Sequence, residues 1–157
     1  MKKISPVQVM ILILVLVTAV VAVFHLTTRT AVPKGMLRIE YADGQAGEVS
    51  LEYLERSRGL ELIPVQGTIV NGKGEARTID AQGILLSDVL REAGVTEYSV
   101  VTVTADDAYN AQVAAEEIVA PDKVYLIRQE EGGMQLIVFG DENSKRNVSN
   151  AVCLTVQ

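Results

Sequence analysis

Apolar and polar positions divide this chain into one long uninterrupted apolar run followed by many short alternating segments. From Val7 to Phe24 only Gln8 and Thr18 interrupt the apolar side chains, and no charge falls inside. At about 1.5 Å of helical rise per residue, such a run crosses the hydrocarbon core of a bilayer. After it, Met36–Tyr41 (MLRIEY) alternates like a half-buried strand, and Asp43, Gly44 and Gly47 mark a turn. Ser50 is placed to cap a helix that Gly59 ends, with Leu51 and Leu54 on its buried face. Leu62–Val70 reads as a strand with Pro64 near its start, as at a sheet edge. Asn71–Gly74 is a hairpin turn returning through Glu75–Ile79.

Further on, Leu85, Leu86, Val89, Leu90 and Ala93 share one face of a helix, with Asp88, Arg91 and Glu92 opposite and Gly94 as a left-handed cap. Ser99–Thr104 is rich in β-branched residues and predicts a central strand. Asp106–Tyr109 is a loop, Tyr109–Val113 a strand, and Ala114–Val119 a short helix stopped by Pro121. Lys123–Arg128 and Met134–Phe139 form a hairpin around Glu130–Gly133. A polar loop, Gly140–Asn150, leads to a last strand at Ala151–Val156. Strands and helices do not alternate regularly, which predicts an α+β domain with a β-rich mixed sheet and not a doubly wound one.

Four parts follow: a short basic N-terminus at 1–6, a transmembrane signal anchor at 7–26, a stalk at 27–35 and a domain at 36–157. The apolar run is too long for the core of a cleaved signal, and Ala19–Ala22 lacks the small-x-small spacing of a cleavage site. Basic residues flank the run on both sides, so their count does not set the orientation. The form, a minimal basic start and one span before a polar domain, points to a single-pass cell-membrane protein with its domain outside the cytoplasm.

Charge narrows the partners. Beyond Lys2 and Lys3, 12 basic residues face 20 acidic ones, a net of −8. Such a domain is unsuited to nucleic acid. Its expected partners are the membrane and a membrane or envelope protein. Cys153 is the sole cysteine, which excludes an internal disulfide or a multi-cysteine metal site. The sole histidine, His25, lies at the membrane boundary and reads as a solvated residue.

Candidate chemistry is sparse. Gly67–Gly74 (GTIVNGKG) has the spacing of a phosphate loop, but it lacks the closing Ser/Thr and is followed by strand-like EARTI. Asp106 and Asp107, next to Tyr109, offer a ligand-orienting edge or simply a solvated turn. Lys145 and Arg146, between Asn143 and Asn147, offer an anion site or an exposed pair offset by Asp141 and Glu142. No catalytic residue and no metal ligand stands out.

The order of GILLSDVLREAGV, VVTVTADDAY with the following AEEI, PDKVYLIRQEEGG and GDENSKRNVSNAVCLTV resembles the oxidoreductase molybdopterin-binding domain family, the sulfite-oxidase-type fold, over Val49–Val156. The resemblance implies a molybdopterin cofactor, basic residues holding its phosphate, and a cysteine thiolate on molybdenum in the strand before a Gly/Asn-rich turn. Here Thr68, Ile69 and Val70 stand in that strand, without cysteine. The family's Asp-Gly-aromatic loop reads Asp107-Ala108-Tyr109, placing a β-carbon where positive φ would be favoured. The expectation is therefore the fold without the metal ligand: a non-catalytic binding or interaction module with Asp106, Asp107, Tyr109, Lys145 and Arg146 as ligand-binding candidates. A divergent molybdopterin-dependent oxidoreductase and a β-grasp-like structural envelope module are the alternatives.

Overall fold

The computed structural model describes Val15, Val17, Thr18, Val32, Pro33 and residues 35–157. The chain divides into two units, Met1–Ala31 and Val32–Gln157. Val15, Val17 and Thr18 are helical, and the rest of the anchor expected at 7–26 lies outside the described residues. Among the described residues no helix is long and apolar enough to cross a membrane.

Unit 32–157 is an α+β domain dominated by strands. Its first sheet has five: β1 (Met36–Glu40), β2 (Ala46–Ser50), β5 (Val100–Ala105), β6 (Asn110–Ala114) and β9 (Ala151–Val156), ordered β2-β1-β9-β5-β6. The sheet is mixed, since β1 runs parallel to β9 while the other neighbours are antiparallel. The second sheet is antiparallel, ordered β3-β4-β7-β8, from β3 (Ile63–Val70), β4 (Ala76–Leu85), β7 (Val124–Arg128) and β8 (Met134–Val138). Three short helices, α1 (Leu51–Arg58), α2 (Leu86–Glu92) and α3 (Ala115–Ile118), join strands, and a 3-10 turn spans Ser144–Arg146.

Local chemistry explains the elements that match expectation. The Ser50 hydroxyl accepts from the Tyr53 amide, and Gly59 ends α1 at φ 66°. Leu51 and Leu54 are buried there, as are Leu86, Val89 and Leu90 in α2. Val101 and Val103 of β5 are fully buried in an interior strand. Two boundaries differ from expectation. Gly47 belongs to β2, not the turn, because Asp43–Gln45 closes that turn alone with Gly44 at φ 83°. β4 continues past Ile79 to Leu85, because Gly83–Leu85 pair with Tyr125–Ile127, so α2 begins one residue later.

Strands β7 and β8 of the second sheet are buried on both faces. Val124, Leu126, Leu136 and Val138 join the main core with β1, β5, β9 and the helices. Tyr125, Ile127 and Ile137 face the other way, into a smaller cluster with Val65, Ile69 and Ile79 from the β3–β4 hairpin. That hairpin approaches closely because of two glycines. A β-carbon on Gly67 would fall 2.5 Å from the Phe139 ring, and one on Gly83 would fall 2.9 Å from Ile127 Cγ2 and the Leu126 carbonyl. The phosphate-loop-like spacing therefore has a packing origin: Gly67 admits a ring, and Gly74 serves the turn at φ 82°.

Candidate functional site

The chain's polar candidates meet where the β5–β6 turn touches the long loop before β9. The turn closes with the Ala105 amide donating to the Tyr109 carbonyl (2.8 Å) and the Ala108 amide to the Ala105 carbonyl (3.1 Å). Asp107 Oδ1 accepts from the Tyr109 amide at 2.9 Å, so this carboxylate is a turn-former. Ala108 sits at φ 71°, in the left-handed region that favours glycine. The Asp106 amide donates to the Asn150 carbonyl at 3.1 Å, tying the turn to the start of β9. Both carboxylates are exposed.

The facing loop is organised by asparagines. Asn143 Oδ1 accepts from the Lys145 amide (3.2 Å), and Asn147 Oδ1 accepts from the Val138 amide (2.9 Å). These bonds hold the 3-10 turn against β8. The half-exposed Tyr109 then donates its hydroxyl to the Lys145 carbonyl, joining the two loops directly. Sequence reading singled out both residues; the structure brings them together through a backbone atom.

Arg146 has a different surrounding. Its Nε donates to Asp141 Oδ2 (2.7 Å), Nη1 to Glu117 Oε2 (2.6 Å) and Nη2 to Glu117 Oε1 (3.0 Å) as well as to Asp141 Oδ1. Lys123 Nζ donates to Glu117 Oε1 at 2.8 Å. Two cations and two carboxylates thus form a neutral network, about a quarter exposed at Glu117 and less at Asp141. Hydrogen bonds from Arg146 and then Lys123 hold the Glu117 carboxyl down at about 2, and Asp141 and then Glu117 raise Arg146. Lys145 is exposed and its ammonium makes no ion pair among the described residues.

Asp141 offsets Arg146 as its place in the sequence suggests, whereas Glu117 and Lys123 are partners the sequence does not reveal. Glu116–Glu117 look like a helix surface, and Glu117 lies 29 positions from Arg146, so only the fold shows the pairing.

The residues do not fit a molybdenum ion. Thr68 is exposed, Ile69 is packed in the smaller core, and neither carries a thiol. Cys153 lies in β9, opposite Arg38 and Thr104, not in β3. Burial, and next the Glu40 charge, push its thiol up, away from the thiolate a soft metal requires. No group of three or more His, Cys, Asp or Glu able to hold a metal occurs among the described residues. No family model matches the chain. No curated protein matches it either.

Proposed function

We propose that this chain is a single-pass, membrane-anchored protein whose extracytoplasmic domain has a molybdopterin-binding-like, sulfite-oxidase-type fold and acts as a non-catalytic binding or interaction module. The anchor rests on the uncharged run at 7–26 behind Lys2 and Lys3. The kinship rests on the order of motifs and on Ala108. Where the resembled family carries glycine, this backbone keeps a φ of 71° despite its β-carbon.

The observation that carries the non-catalytic reading is the enclosure of Arg146 by Glu117 and Asp141. A basic residue meant for a phosphate presents an unmatched positive charge; this one is matched on both sides. Tyr109 and Asp107 likewise serve to hold the rim together. Among the described residues, Lys145 is left as the candidate cation at this rim open to an anion.

The test uses the full chain, isolated from a molybdenum-replete host and oxidised in acid to release pterin fluorescence. Pterin with matching molybdenum would overturn the reading. Pterin or phosphate binding without metal, weakened by Lys145→Ala, would place the ligand at this rim; neither ligand would leave a purely protein-binding module. Protease added to intact cells should remove the domain, and full protection would contradict its export.

A further inference from the structure

The backbone of β4 has an open side. The Asn71–Gly74 turn closes with the Asn71 amide on the Glu75 carbonyl (2.9 Å) and the Gly74 amide on the Asn71 carbonyl (3.0 Å). Asn71 and Glu75 are thus a hydrogen-bonded pair. Stepping by twos through the register, Arg77, Ile79, Ala81 and Gly83 exchange bonds with β3. Ala76, Thr78 and Asp80 then turn their N–H and C=O groups away from β3. On that side β7 pairs only with Gly83–Leu85. Among the described residues no backbone or side-chain hydrogen bond reaches the outward groups of Ala76, Thr78 and Asp80.

This edge forms one wall of a groove of about 750 Å³, faced by Ile127, Gln129, Glu130 and Gln135. The unpaired stretch from Ala76 to Gln82 is roughly 20 Å long at about 3.3 Å per residue, enough for an added strand. The hairpin's other edge, β3, carries Pro64, which has no N–H to offer a newcomer. The Ala76–Gln82 overhang contains no proline.

We infer that the β4 edge is a docking site for an extended, basic segment of a partner polypeptide, added as a strand beside Thr78 and Asp80. Backbone pairing supplies the affinity, and charge selects the partner. Asp80 and Glu130 line the groove against Arg77, while Arg128 is held by Glu55 at 2.6 Å. A second copy is disfavoured as the occupant, because pairing would bring together two domains each of net −10 over residues 36–157.

This inference rests on the interaction-module reading, and the two fail separately. Stoichiometric molybdenum and pterin would end that reading without bearing on this edge; absence of both, with no peptide bound, would end only the inference. The test uses the full chain in detergent micelles and a fluorescent heptapeptide alternating lysine and valine, with a glutamate-for-lysine counterpart. The lysine peptide should bind, and hydrogen exchange at the Thr78 and Asp80 amides should slow by about tenfold or more on binding. Thr78→Pro removes an edge N–H not used by the β3 ladder and should weaken binding about tenfold, whereas Thr68→Pro, on the outer edge of β3, should not. If Thr78→Pro does not fold, Asp80→Arg with Glu130→Lys should shift preference to the glutamate peptide. Equal binding of both peptides, unslowed exchange at Thr78 and Asp80, loss through Thr68→Pro, unchanged preference in the charge variant, or dimerisation of the chain through this edge would each overturn the proposal.

Discussion

The ring of Phe139 lies so close to Gly67 that a β-carbon there would come within 2.5 Å of its Cε1 atom. This contact lets the β3–β4 hairpin cover Tyr125, Ile127 and Ile137, which would otherwise leave the outer face of the second sheet apolar and wet. Gly67→Ala should therefore lower stability by about 1–3 kcal/mol, measured by urea unfolding. Phe139→Leu should recover part of that loss in the double variant, while additive effects would show that the two residues do not meet.

Ala108 holds a left-handed backbone at φ 71° without the freedom of glycine. Ala108→Gly should raise stability by about 0.5–1 kcal/mol, the relief of strain exceeding the added flexibility of the unfolded chain. A lower urea midpoint in the variant would contradict the conformation of this turn.

The Glu117 network makes stability depend on acid. Its carboxyl lies at about 2 in the folded chain, below its ordinary value of 4.5, so on acidification the unfolded chain takes up the proton first. The contribution is therefore complete above about pH 4.5 and is lost as pH falls towards about 2, amounting to at most about 3 kcal/mol. Unfolding midpoints measured across that window should fall less steeply in Glu117→Gln than in the unaltered chain. Equal slopes would remove Glu117 from the account.

Cys153 should behave as an inert thiol. Burial pushes the pKa of its thiol up and so suppresses the thiolate; iodoacetamide at neutral pH should label the folded chain at least about tenfold more slowly than the urea-unfolded chain. Rapid labelling of the folded chain would reveal a thiolate that this packing does not allow.

Where burial has a period, the sequence exposes the fold. Leu86, Val89 and Leu90 announce α2, SVVTVT announces β5, and Ser50 with Gly59 brackets α1. β2 escapes because Ala46–Ser50 (AGEVS) has one buried side chain and derives its form from pairing with β1. The continuation of β4 escapes because Gly83–Leu85 suit a helix start as well as a strand, and only β7 decides between them. At the candidate site, Tyr109 and Lys145 were both visible as polar loop residues, but their joint runs through a carbonyl that no side-chain pattern marks. Arg146 is visible as a charge offset by Asp141, but its second partner is not, because Glu117 reaches it from a distant helix.

We propose a molybdopterin-binding-like scaffold that holds no metal, and the decisive quantity is molybdenum per full-length chain, measured by mass spectrometry after isolation from a molybdenum-replete host. Far less than one atom per chain is expected, unchanged in Cys153→Ser; one atom per chain would overturn the proposal.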